Sequence, residues 1–183
     1  MQTSECAIFH LSTCDINISN TTGDYANGYI NSIGSINTFR TSITWFNVDF
    51  NTILGDMLKS GKYEKFNIKL STVMYSTTAA VGVAAVDRTL KINMSGLPFA
   101  NCTYHMNLLS NTNTCTMGAF GVSNTSSGQI YFNDDNVFSI YPPSPQSNIT
   151  ISLKTLYDVE PANGGTLFPQ FDFYFRIYGI LKN

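Results

Sequence analysis

Histidine is the side chain best suited to proton transfer near neutral pH and to metal ligation, and this chain carries two, His10 and His105. Neither falls in an HExxH or other ligand motif, so each is expected to be an ordinary hydrogen-bonded side chain. Asp134-Asp135 is the single adjacent acidic pair. Two carboxylates on a turn can contribute to a Ca²⁺ site, but the flanking Asn133 and Asn136 are also what a solvated turn uses. Four cysteines, Cys6, Cys14, Cys102 and Cys115, form no CxxC pair and no zinc spacing. Tyr25, Tyr29, Tyr104 and Tyr131 offer rings that could stack on sugars, or that simply serve as strand and loop tyrosines. No nucleophile elbow or phosphate loop is present. The expectation is therefore no catalytic residue, no cofactor, no metal site and no enzymatic activity.

The elements that would position these groups read as strands. Phe171, Phe173, Phe175 and Ile177 alternate with Asp172, Tyr174, Arg176 and Tyr178, the period-2 pattern of a strand with one buried face. The same alternation recurs at Phe66–Leu70, Leu90–Met94, Gln129–Phe132 and Asn148–Lys154. Ile43 and Trp45 alternate with Ser42, Thr44 and Phe46, a first core strand expected to direct the sole tryptophan inward. Between them and the Phe66 strand, apolar residues at 50, 53, 54, 57 and 58 follow a helical rhythm that stops at Ser60-Gly61. Further strands are expected near Cys102–Leu109 and Thr116–Val122. Asn133–Asn136 is expected to join Ile130–Phe132 to Val137–Ile140 as a hairpin. Ser76–Asp87 is a small-residue run of ambiguous pattern, and Glu160–Gly165 a long connection. Strands with one apolar face must cover it with a second sheet. The expected fold is all-β: a single eight-stranded sandwich of Greek-key or jelly-roll type, with a short helix between its first two core strands. Its inner faces should include Phe66, Ile68, Leu70, Ile151, Leu153, Phe171, Phe173 and Phe175.

At 183 residues the chain fits one such domain. Residues 1–38, with their Asn-, Thr- and Gly-rich stretch, read as an N-terminal arm or irregular lead-in that holds at most an edge strand, and residues 39–183 as the sandwich. Charged residues make up 12% of the chain and aromatic residues 13%, with a net charge of −2. That weakly charged surface suits a subunit packed against neighbours. Lys59, Lys62, Lys65 and Lys69 are the nearest approach to a basic cluster, too sparse for a nucleic-acid groove. The start Met1–Cys6 lacks the basic and apolar regions of a secretory signal, and no apolar window is long enough for a membrane span. Cytosolic synthesis follows as the expectation. In that compartment the thiols stay reduced, and the sequons at Asn17, Asn20, Asn93, Asn101, Asn124 and Asn148 are by-products of composition.

The segments Trp45-Phe46-Asn47-Val48, Ile53–Met57 and Phe66–Leu70, then Gly96-Leu97-Pro98-Phe99, Asn148–Ile151 and Phe171–Ile180, taken in order, resemble single jelly-roll capsid proteins of large double-stranded DNA viruses. The likeness spans about Thr41 to Leu181. It implies a penton or minor capsid subunit: a homopentamer at icosahedral vertices, partnered by sister copies and by neighbouring major and minor capsid proteins. It implies residence in the virion after synthesis in the host cytoplasm, with no direct nucleic-acid contact. The alternative is a carbohydrate- or receptor-binding β-sandwich, such as a fibre head or lectin-like module, using the tyrosines above.

Overall fold

The structure, a computed structural model, describes residues 5–12, 29–30, 42–76, 89–100, 115–121, 128–133, 136–155 and 170–182. The run 77–88, the strand expected near Cys102–Leu109 and the 160–165 connection lie outside them. The described residues form ten strands: β1 Cys6–Ser12, β2 Tyr29–Ile30, β3 Ser42–Asp49, β4 Tyr63–Ser76, β5 Thr89–Ser95, β6 Cys115–Gly121, β7 Gly128–Tyr131, β8 Phe138–Ile140, β9 Gln146–Thr155 and β10 Gln170–Leu181. Two short helices, α1 Phe50–Leu54 and α2 Asp56–Lys59, lie between β3 and β4.

The chain is all-β, in two antiparallel sheets. Sheet A runs β1-β10-β4-β7, with β8 also on β4, and sheet B runs β2-β3-β9-β5-β6. The chain passes repeatedly between sheets, so strands distant in sequence become neighbours, β1 with β10, β3 with β9, and β4 with β7 and β8, while the consecutive β5 and β6 pair directly within sheet B. β1 is the edge strand expected in the lead-in. It places Phe9 and Leu11 in the common core, so these residues belong to the packed body of the molecule.

The inner faces share one hydrophobic core. All eight residues expected inward are buried, from Phe66, Ile68 and Leu70 to Ile151, Leu153, Phe171, Phe173 and Phe175. Rings lock the sheets together: Trp45 of β3 meets Phe173 of β10 edge-on at 6.3 Å, and Phe120 of β6 meets Phe171 at 6.3 Å. A buried indole needs an acceptor, and Trp45 Nε1 donates to the Ser12 carbonyl of β1 at 3.0 Å.

Two expectations are corrected. The apolar rhythm of residues 50–58 predicts one helix, but Gly55 takes φ +49, closing α1 through its N–H to the Asn51 carbonyl (3.0 Å), and the chain restarts as α2. The apolar face survives the break, since Phe50, Leu54 and Met57 are all buried. The hairpin expected at Asn133–Asn136 does not form either. β7 pairs with Thr72–Tyr75 and β8 with Phe66–Ile68, both antiparallel to β4, so they are successive pieces along one edge of β4. A hairpin would have reversed direction, whereas here the polar residues interrupt a strand that then resumes.

Asp49 starts α1 as its N-cap. Its carboxylate accepts from the Thr52 hydroxyl at 2.6 Å and from the amides of Asn51 and Thr52 at 3.0 and 3.3 Å. The Thr52 hydroxyl does most to hold this carboxyl below its ordinary value of 3.8. With the folded value the lower one, the cap contributes fully above the ordinary value and is lost as pH falls through the folded value. Asp49→Asn, compared with the wild type by urea unfolding over an acid series, is expected to show a stability deficit that shrinks as pH drops below the ordinary carboxylate value. A deficit constant across that range would refute a charge-dependent cap.

Candidate functional site

The alternation that buries Phe171, Phe173 and Phe175 turns the polar side of β10 outward, and cross-strand register arranges it with its neighbours in rows. One row reads Cys6, Tyr178, Asn67, Ser139, and the next Ile8, Arg176, Lys69. A third reads His10, Tyr174, Thr72, Tyr131, and a fourth Ser12, Asp172, Met74, Gln129. These rows form the outer face of sheet A.

His10 sits on this face. Its Nε2 lies 2.9 Å from Asp172 Oδ1, and its ring stacks on Tyr174 with centroids 4.4 Å apart and planes 9° from parallel. Lys69 Nζ lies 5.7 Å from the Tyr178 ring centroid, and Lys65 Nζ 5.4 Å from that of Tyr141. Lys65 and Lys69 thus share the outer side of β4, while Lys59 belongs to α2 and Lys62 precedes β4. At the end of the sheet, the Tyr63 hydroxyl donates to Glu5 Oε2 at 2.7 Å, joining the lead into β1 to β4. That bond, more than burial, raises the Tyr63 pKa.

The other candidates are scattered. Tyr131 stands on the outer face with 73% of its surface exposed. Tyr29 pairs with Thr44 through the backbone of β2, but its side chain lies outside the described residues, as do Tyr25, Tyr104, His105, Asp134 and Asp135. Cys6 is an exposed thiol on β1 and Cys115 is buried in β6, while Cys14 and Cys102 lie outside the described residues. Among the described residues no group of three His, Cys, Asp or Glu side chains could hold a metal ion. No helix among them is long and apolar enough to cross a membrane.

Sequence reasoning missed the partners of His10. Asp172 is 162 residues away, and only the β1–β10 register joins the two. The available signal was that each occupies the polar side of an alternating run. The face carries the aromatic rings of Tyr131, Tyr174 and Tyr178, the exposed Arg176 and the buried Lys69, beside hydrogen-bonding Thr, Asn, Ser and Gln side chains. No protein-family model and no curated protein sequence matches this chain.

Proposed function

We propose that this chain is a structural capsid subunit built as a single jelly roll, and that it forms a homopentameric ring at the vertices of an icosahedral virus. The observation that carries this is the nested strand pairing. Let β7 and β8 count as one interrupted strand and β2 as a two-residue addition. The first strand then pairs with the last, β3 with β9, β4 with the interrupted strand, and the middle two, β5 and β6, with each other. That nesting is what two Greek keys wound into a jelly roll require. The low charge content adds support for a subunit buried among neighbours. Fivefold order, the neighbouring capsid proteins as partners and virion residence after synthesis in the host cytoplasm are drawn from the family resemblance. On this reading the role is mechanical, with no catalytic group, cofactor or direct nucleic-acid contact.

A carbohydrate- or receptor-binding sandwich is the second reading, favoured by the exposure of Tyr131. Native mass spectrometry at several protein concentrations separates the readings. A five-copy species is the expected result; a trimer would point to a fibre head, and a persistent monomer that binds on a glycan array to a lectin-like module.

A further inference from the structure

The edge of a sheet presents backbone amides and carbonyls that invite another strand, and proteins normally shorten, charge or cover it. In sheet B the edge strand β2 is only two residues long. Sheet A covers its edge at β8, where the Ala100 amide donates to the Ser139 carbonyl at 2.7 Å and the Tyr141 amide to the Pro98 carbonyl at 2.9 Å. Among the described residues no strand pairs with the two remaining edges of sheet A, along β1 and β7.

The ladder determines which groups these edges offer. In an antiparallel pair, alternate residues turn both N–H and C=O toward the partner, and the residues between them turn both away. The Gly179 amide donates to the Glu5 carbonyl, so Ala7, Phe9 and Leu11 bond to β10 while Cys6, Ile8 and His10 aim their backbone groups outward. The Ser12 carbonyl, next in the outward series, is taken by the Trp45 indole. On β7 the Phe132 amide donates to the Ser71 carbonyl, so Ile130 bonds to β4 while Gln129 and Tyr131 aim outward. Each open edge carries an exposed apolar side chain, Ile8 at 63% and Tyr131 at 73%, the two most exposed large hydrophobic residues described. None of the outward residues is the lysine or proline that would discourage pairing.

We propose that β7 of a second copy of this chain adds to β1, so that sheet A continues from copy to copy. Strands alternate in direction across β1, β10, β4 and β7. A rotation about an axis along the strands keeps that sense and brings β7 beside β1 antiparallel. Setting Ile8 opposite Tyr131 also sets His10 opposite Gln129, and gives the outward amides and carbonyls of all four residues a partner. Both apolar side chains then lie on the outer face and cover one another. Pairing β1 with β1 about a twofold axis would leave both β7 edges bare, whereas a closed head-to-tail series leaves no such edge, as in a barrel. The proposal rests on the ring reading above and deepens it by naming the strands that join the copies.

Sedimentation velocity of the full chain over a concentration series tests it. Ile8→Lys and Tyr131→Lys each charge one edge and leave the other intact, and Met74→Lys makes the same change on the outer face of β4, inside the sheet. Each edge variant should need at least about tenfold more protein to assemble, while Met74→Lys behaves as the wild type. An equal mixture of the two edge variants should stop at a two-copy species, joined through the one intact β1 edge and the one intact β7 edge. Thermal melts establish folding, and Ile8→Pro and Gln129→Pro, which remove only outward amides, carry the test should a lysine variant unfold. Wild-type assembly by both edge variants sinks the edge contact and leaves the ring reading standing. Loss in Ile8→Lys alone reports β1 against β1, loss in Tyr131→Lys alone β7 against β7, and either overturns the proposal. So does equal loss in Met74→Lys, which places the contact on the face, or a mixture that forms no two-copy species. A wild type that stays monomeric throughout sinks both readings.

Discussion

Phe173→Ala is expected to cost about 3–5 kcal/mol, the range for truncating a fully buried aromatic residue. Phe173 is 1% exposed, stacks on Phe171 at 5.7 Å and takes the edge of Trp45 from the opposite sheet. Its removal opens a cavity between the sheets, where β10 is flanked by β1 and β4 and has little freedom to collapse inward. Reversible urea unfolding, followed by the fluorescence of the single tryptophan, measures the loss. A cost under about 1 kcal/mol would mean that the core repacks around the hole.

Gly96→Ala is the second large effect, and it acts through backbone rather than core. Gly96 follows β5 with φ +96, and a Cβ there would overlap the Asn148 carbonyl oxygen and stand 2.9 Å from the carbonyl carbon. Those atoms belong to β9, the partner of β5, so the clash can be relieved only by parting two central strands of sheet B. A loss of at least about 2 kcal/mol is expected, from the unfavourable φ plus that displacement. Gly61→Ala is the control, for Gly61 also has positive φ (+63) but nothing within 4 Å of a built Cβ. It should cost only about 1 kcal/mol. Equal losses at the two positions would show that the close approach of Gly96 to β9 is unimportant.

Period-2 alternation was enough to read the inner faces from sequence. It orients Phe66, Ile68, Leu70 and the Phe171–Ile177 run correctly because a strand has only two sides and one must be dry. It cannot say which strands are neighbours, and that is why the partners of His10 were invisible and why β7 and β8 looked like a hairpin. Turn-forming residues such as Asn133 and Asn136 signal a departure from the ladder, but not the direction in which the chain returns. The helix misreading has the same origin: the apolar spacing of Phe50, Leu54 and Met57 reports a face, and a single positive φ at Gly55 breaks the axis without disturbing that face. The outer face of sheet A was only half legible. Its residues were identifiable as polar-side positions, but their assembly into rows depends on register between strands far apart in sequence.

The place of β10 between β1 and β4 also bears on when the molecule can fold. The strand at the middle of sheet A is the last of the ten to leave the ribosome. Until it emerges, β1 and β4 have no common neighbour, and Phe9, Leu11 and Val73 have no Phe173 or Phe175 against which to close. Sheet A is consequently the later sheet to be completed, through contacts that join Cys6–Ser12 to Gln170–Leu181, and such distant closures slow folding. During that interval the inner faces of β1 and β4 stand open together with their unpaired edges, which is when chaperones, or other nascent copies, find them.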